Sequence, residues 1–305
     1  MKLIQLRAFC SVVDMGSFRS AARQLNSAQS TLTDSIQSLE RELAVTLLLR
    51  SAQGISLTQA GKVFLTRARS IILDCDRAIR DVRQCNGMHE GQIALGVSAE
   101  PLGACLMPVF SSFTGRFPNV QLHVASGKTK MLIEMIRAGR LDFVMCPLHP
   151  DVGDSDLQIE RLYRSTASII ARKGHPLADA RSLHELSDCR WISVRPGGVI
   201  GSAENHLIEL FRAQGLPPPN IAITGESLLE ILHLISETDC LTIEPGMLAG
   251  MKLFSSSLVS LAIREPLESC EVSLISRRVS PMSQVTQELA SMLISYSRLR
   301  HRARG

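Results

Sequence analysis

Gln29, Ser30, Thr33, Asp34 and Gln37 are short amide, hydroxyl and carboxylate side chains spaced so that a helix would carry them on one side. Leu32, Ile36, Leu39 and Leu43 recur at helical spacing and would form the opposite, apolar side. The polar row contains no nucleophile paired with a base and no set of metal ligands. Its chemistry is hydrogen bonding. Gln can bond an adenine edge in two places, and Ser or Thr can reach any base edge, so such a face suits a DNA major groove. Gln29, Ser30 and Thr33 are the expected base contacts, with Arg19, Arg23 and Arg50 at phosphates. For Arg19 and Arg23 the plain alternative is a solvated helix face.

A helix can only be offered to DNA if something holds it from behind. Phe18, Ala21, Ala22 and Leu25 predict a short preceding helix, capped by Ser17 and broken at Leu25-Asn26-Ser27. Its small alanines would let the second helix, capped by Ser27 or Asn26, cross closely over it, as in a helix-turn-helix. Leu3, Leu6, Phe9 and Val13 predict a helix forming the third wall, ended by Asp14-Met15-Gly16. Short apolar runs at Leu47–Leu49 and Ile55–Leu57 flank Gln53-Gly54 and read as a small β-ribbon, a wing, with Arg50 at its base. Thr58 would cap a long helix from Gln59 to about Cys85. Its apolar residues Phe64, Ala68, Ile71, Cys75, Ile79 and Val82 alternate at steps of three and four, the pattern of a coiled-coil seam. The small domain offers nothing to cover that seam, so a second copy of the chain is the expected partner. Packing on the chain's other domain is the alternative.

Asn86–Gly91 breaks the pattern, and strands then alternate with helices. QIALGVS, VQLHVAS and LDFVMC read as strands, with helices around Leu106–Phe113 and from a cap at Thr129 to Ala138. The theme recurs with strands at Ala167–Ala171, WISV, Ile221–Ile223 and Leu241–Ile243. The helices between them are a short one near Leu183–Leu186, Ala203–Gln214 and one capped by Ser227. A strand at Glu271–Ile275 and a closing helix from Met282 to Arg300 follow. The order implies a parallel, doubly wound α/β sheet in two lobes, about 91–162 with 266–300 and about 163–265. The cleft between them would lie at the carboxyl ends of the strands. Ser98, Ser126, Lys128, Thr129 and Cys146 fall there in the first lobe, and Ser193, Arg195, Ser202 and Thr242 in the second. Hydroxyls, a cation and free helix-start amides suit a carboxylate or sulfonate, so a small anionic ligand is expected. The bland alternatives are hydroxyls that merely cap helices and an Arg195 that makes a surface salt bridge.

Several function classes are excluded. RPGGVIGS lacks the Lys-Ser/Thr ending of a phosphate loop, and the histidine of GHPLA has no second His at metal spacing. No catalytic set and no cofactor is implied. The 305-residue chain is 45% hydrophobic but only 4% aromatic, so its cores are aliphatic. Twelve of its 33 Lys and Arg and eight of its 29 Asp and Glu precede Gly91, leaving twenty-one of each after it. The whole excess of +4 therefore sits in the first segment, as phosphate contact there would require. The eight cysteines are scattered without CxxC pairs, the start MKLIQLRAF is not a signal peptide, and no apolar run approaches a membrane span. A reducing, cytoplasmic setting is expected.

The chain resembles the LysR-type transcriptional regulators over nearly its full length. LRAFCSVVDMGSFRSAARQLNSAQSTLTDSIQSLERELAVTLLLR and ISLTQAG carry most of the likeness, with weaker matches at FPNV, LDFVM, GHPLA and TDCLTIEPG. The resemblance implies a winged helix-turn-helix (1–58), a dimerising linker helix (59–88) and a two-lobed effector domain like a periplasmic binding protein (91–305). It further implies a homotetramer on double-stranded promoter DNA, RNA polymerase as a further partner, and control by a small effector. Ser98, Thr129 and Ser202 match the family's ligand-facing loops. Two alternatives of other classes are weaker. An enzyme or exported receptor lacks a catalytic set or a signal, and an architectural DNA-binding protein leaves some two hundred balanced residues without a role. Asp34 and Gln53 depart from the pattern where the family often carries a cation or polar residue, and so does Leu48-Leu49. These departures imply a weaker or more sequence-dependent grip on DNA.

Overall fold

The computed structural model describes residues 1–51, 54–85, 91–148, 155–194, 203–225, 227–278 and 282–302. The first three helices are α1 (Leu3–Met15), α2 (Phe18–Gln24) and α3 (Gln29–Leu43). They close on a core of Leu6, Phe9, Val12, Phe18, Ala21, Leu32, Ile36 and Leu39, all buried. Ser17 Oγ accepts from the Ser20 amide at 3.4 Å, capping α2 as expected. The cap of α3 is different. Asn26 is occupied by the turn itself, at φ +48°, and the Ser27 amide closes α2 by donating to the Ala22 carbonyl at 2.9 Å. Ala28 is left at the N-cap, with no side-chain hydrogen bond.

β1 (Leu48–Ser51) and β2 (Gly54–Leu57) form the expected antiparallel ribbon, Leu48 opposite Leu57 and Arg50 opposite Ile55. The Arg50 side chain and Gln53 lie outside the described residues. Thr58 fastens the ribbon to α4 (Gln59–Cys85). Its Oγ1 donates to the Thr46 carbonyl at 2.8 Å and accepts from the Gly61 amide at 2.9 Å. At Gly61 the helix comes so close to the ribbon that a Cβ would stand 2.1 Å from the Leu47 carbonyl oxygen.

The small domain does cover part of the α4 seam, against expectation. Phe64 meets Phe9 edge-on at 5.3 Å, and Ala68 is fully buried beside α1. Arg69 pairs with Asp14, and Arg7 with Asp76 at 2.6 Å. α1 is long enough to run beside the first half of α4, which a helix-turn-helix of minimal size would not do. Ile71, Ile79 and Val82 stay exposed.

In the larger part, β3 (Gly91–Val97), β4 (Val120–Ser126) and β5 (Phe143–Leu148) are parallel in the order β4-β3-β5. The expected wholly parallel sheet ends there. β6 is one 16-residue strand, Leu157–Arg172, where only Ala167–Ala171 was expected. It pairs antiparallel with β11 (Ser269–Arg277), and β11 is antiparallel to β5. The chain leaves the first lobe along β6 and returns along β11, so the two crossing strands must run in opposite directions. Beyond the crossing, β6 pairs with β9 (Thr242–Pro245) and with β10 (Leu258–Leu261), a strand the sequence pattern did not announce. β7 (Arg190–Val194) and β8 (Asn220–Gly225) are parallel, and Trp191 bridges to Leu241.

In the first lobe, α5 (Ala99–Pro101) leads through a π turn at Leu102–Leu106 into α6 (Met107–Arg116), earlier than expected. α7 (Thr129–Arg137) has Lys128, not Thr129, at its N-cap. α8 (Ala203–Ala213) and α9 (Leu228–Glu237) cover the second lobe, and Ser227 precedes α9 without a side-chain cap bond. α10 (Gln284–Arg302) returns to the first-lobe core, where Leu289 and Leu293 are buried with Phe113 and Phe143. No helix among the described residues is long and apolar enough to cross a membrane.

Gly61→Ala pushes a methyl into a backbone oxygen that has nowhere to move. The variant is expected to lose about 1–3 kcal/mol of amino-terminal stability, read as a lower urea midpoint for that transition.

Candidate functional site

α3 is seated by Leu32, Ile36 and Leu39, each at most 3% exposed, so its other side has one direction to face. Gln29, Ser30, Asp34 and Gln37 are exposed there, and Thr33 is half-buried. Thr33 Oγ1 donates to the Gln29 carbonyl at 3.0 Å. Its hydroxyl proton is thus engaged within the helix, which leaves its lone pairs and its methyl group for a groove. Arg19 and Arg23 stand exposed on α2, the helix before α3. Glu40 fastens the ribbon without belonging to any sequence motif. One of its carboxylate oxygens accepts from the amides of Leu47 (2.7 Å) and Leu48 (3.1 Å), fixing the ribbon to the helix. A glutamate seven residues before an apolar run carries no signal a pattern could reveal.

The expected ligand residues do not share one environment. Ser98 ends β3, with its amide bonded to the Met145 carbonyl at 3.0 Å. Its Oγ is buried without a hydrogen-bond partner among the described residues, as is Thr242 Oγ1. Ser126 and Lys128 are exposed where β4 gives way to α7. Thr129 Oγ1 donates to the Pro147 carbonyl at 3.0 Å, tying α7 to the end of β5. Cys146 lies inside β5, fully buried, and burial pushes its thiol up to about 11. It backs Thr129 and presents no surface. Ser193 is buried on β7. Arg195 and Ser202 lie outside the described residues.

Two carboxylates in this region carry no sequence motif. Glu100, at the start of α5, is 3% exposed and accepts from Ser165 Oγ on β6 at 2.6 Å. Burial raises its affinity for a proton. Glu244, on β9, is pushed up to about 7 by burial, and Lys128 of the first lobe pulls the other way. The lobes touch nearby. Ala99 packs against the second lobe's cluster around Ile170, Ile192 and Leu248, and Gly103 lies against Met251. A separate open cavity of about 430 Å³ flanks the crossing strands, lined by Arg164, Thr166, Ser168, Arg264 and Glu265 among others. None of the expected ligand residues lines it. No group of three or more His, Cys, Asp or Glu placed to hold a metal occurs among the described residues.

Two family models divide the chain. Residues 3–62 match the bacterial regulatory helix-turn-helix of the LysR family, and 86–298 match the LysR substrate binding domain. The chain belongs to the LysR family of transcriptional regulators. This regulator is 25% identical over 304 residues to TdcA of Escherichia coli K12, covering 99% of this chain and 96% of that one. It is 27% identical over 252 residues to GbpR of Azospirillum brasilense, covering 82% and 73%. It is also 28% identical over 297 residues to an SDS degradation transcriptional activation protein of a Pseudomonas strain, covering 96% and 95%. Full-length CbnR solved with its target DNA has the same fold, with TM-score 0.68 and 21% identity over 97% of this chain and all of that one. A full-length OxyR variant from Pseudomonas aeruginosa gives TM-score 0.68 at 18% identity, covering 98% and 95%. The regulator thus joins a helix-turn-helix to a substrate-binding domain, in a family of regulators rather than enzymes.

Glu40→Ala strips the Leu47 and Leu48 amides of their acceptor. It is expected to cost about 1–3 kcal/mol and to speed hydrogen exchange at those two amides selectively, leaving α3 protected.

Proposed function

We propose that the regulator reads promoter DNA with the exposed face of α3 and that a small anionic effector, held between its two lobes, changes that reading. The observation that carries the first half is the row Gln29, Ser30 and Thr33, held outward by a buried stripe on the same helix. Gln29 and Ser30 contact base edges, Thr33 offers a methyl to a thymine, and Arg19, Arg23 and Arg50 contact phosphates. Asp34 faces the same groove and penalises any register that brings a phosphate to it.

The second half draws support from Ser98, whose buried Oγ is without a partner among the described residues, and from Lys128 at the start of α7. Ser126, Thr129, Ser193, Arg195, Ser202 and Thr242 complete the proposed set, with Cys146 behind it. Exposed Ile71, Ile79 and Val82 support pairing of α4 with a second chain, and dimers of such dimers give the proposed tetramer. The proposed setting is cytoplasmic, with RNA polymerase as the partner that the bound protein influences.

Fluorescence anisotropy on operator and scrambled duplexes tests the assignments. Gln29→Ala is expected to narrow the gap between the two by about 1–3 kcal/mol without changing the salt slope. Arg19→Ala or Arg23→Ala is expected to weaken both duplexes alike and to lower the slope of log K against log salt by about 1. Asp34→Asn is expected to tighten both. Calorimetry against carboxylates and sulfonates tests the effector, and tighter binding of uncharged analogues would overturn the anionic reading.

A further inference from the structure

We propose that the open cavity beside the crossing strands is a second ligand site, separate from the proposed effector set, for a small doubly charged oxyanion of the dicarboxylate or phosphate monoester kind.

The cavity comes from a mismatch in length. β10 and β11 follow one another along β6, with Leu261 opposite Ile169 and Ser269 opposite Thr166. From Thr166 to Ile169 is three residues on β6, and from Leu261 to Ser269 is eight on the returning chain, so the return carries five residues more. That surplus cannot lie flat against β6. The cavity of about 430 Å³ is lined by residues of these two segments. Alternate residues of a strand share a face, so Arg164, Thr166 and Ser168 stand together, and all three line the cavity. Ser165 belongs to the other face and donates to Glu100, two residues past Ser98. The cavity therefore lies on the face of β6 opposite the Glu100 contact.

What the lining offers a guest is donors. The Arg164 guanidinium donates through Nε and Nη2 to Ser269 Oγ at 2.8 and 2.5 Å, which fixes its orientation and leaves Nη1 without a partner among the described residues. Arg264, on the returning segment, is exposed, as is Thr166. The acid in the lining, Glu265, is turned away. Its Oε1 accepts from the Leu183 amide at 2.9 Å, and its Oε2 is shut off from water. Glu185 acts on Arg264 from outside the lining, where the Arg181 amide and Ser182 hold it. Glu271 stands opposite Arg164 in the register without forming an ion pair with it, and neither it nor exposed Glu268 belongs to the lining. With Arg181 these groups come to three cations against four acids. Net charge thus draws no anion from a distance, and selection falls to close bonding. A guanidinium takes an oxyanion through paired N–H groups. One on each wall matches a guest with two negative charges to share, which a single carboxylate lacks. Such a guest would tie the surplus loop to β6 where the chain crosses between the lobes.

The test uses the full-length protein at pH 7.5 and fixed ionic strength. Succinate, glycerol 3-phosphate and acetate are titrated calorimetrically into wild type, Arg164→Gln, Arg264→Gln and Lys128→Ala. Succinate or glycerol 3-phosphate is expected to bind wild type about tenfold or more tighter than acetate. Arg164→Gln and Arg264→Gln should each weaken that dianion about tenfold, while Lys128→Ala, which reports on the proposed effector set, should leave it within about twofold. Acetate binding as tightly as the dianions, or no binding by either dianion, overturns the inference and needs no variant to fold. Weakening in only one arginine variant, or in neither, overturns it too. Weakening in Lys128→Ala with both arginine variants unchanged assigns the dianion to the effector set, which overturns the inference and leaves the anionic effector reading standing.

Discussion

The packing of one stripe, Leu32, Ile36 and Leu39, against Phe9, Val12 and Ala21 is the contact on which the amino-terminal half depends. Each fully buried aliphatic side chain contributes about 1.5–3 kcal/mol, so three of them fix the rotation of α3 about its own axis. A helix with a fixed rotation presents a fixed surface, and the surface left over is polar. The other elements preserve that rotation. Ala21 and Ala22 keep the two helices close, Glu40 ties the ribbon to the same helix, and Thr58 ties α4 to the ribbon. α4 in turn lies on α1 through Phe64 and Ala68.

A second constraint joins this half to the other. β11 starts at the crossing between the lobes, where Arg164 donates to Ser269 Oγ at 2.8 Å. It ends at Arg277, whose guanidinium donates to Ser70 at 3.2 Å and to Asp74 at 3.1 Å on α4. The Arg277 side chain is only 11% exposed while Asp74 is 43% exposed, so the pair is shielded from water on the Arg277 side alone. One nine-residue strand thus runs from the region between the lobes to the helix that carries the helix-turn-helix. That continuity ties the substrate-binding domain to the helix-turn-helix through a single strand.

The readable parts of the sequence were those set by local periodicity. The three small helices, the ribbon and α4 follow from apolar spacing, and Ser17 and Thr58 act as the caps their positions suggested. Local rules failed where a residue had two uses. Asn26 serves the turn and so does not cap α3, and Thr129 bonds across to β5 and so leaves the N-cap to Lys128. The long β6 was only partly legible because its first half, LQIERLYRST, mixes buried and exposed positions on either side of a crossing rather than following one alternation. Its antiparallel pairing with β11 joins segments about a hundred residues apart, which no local pattern encodes. The hydroxyls of the proposed effector set are legible as strand-end residues. Glu100 and Glu244 are not, since an acid inside a strand or a short turn gives no hint of burial until the lobes meet.

Hydroxyl-radical footprinting of the regulator on the intergenic DNA beside its own locus tests the central claim most directly. Two paired chains, each offering one α3, should protect two major-groove segments on one face of the duplex, centred about 10 base pairs or a multiple of that apart. Gln29→Ala should lose both protections together. A single protected segment, or protection of equal strength on unrelated DNA, would contradict the account.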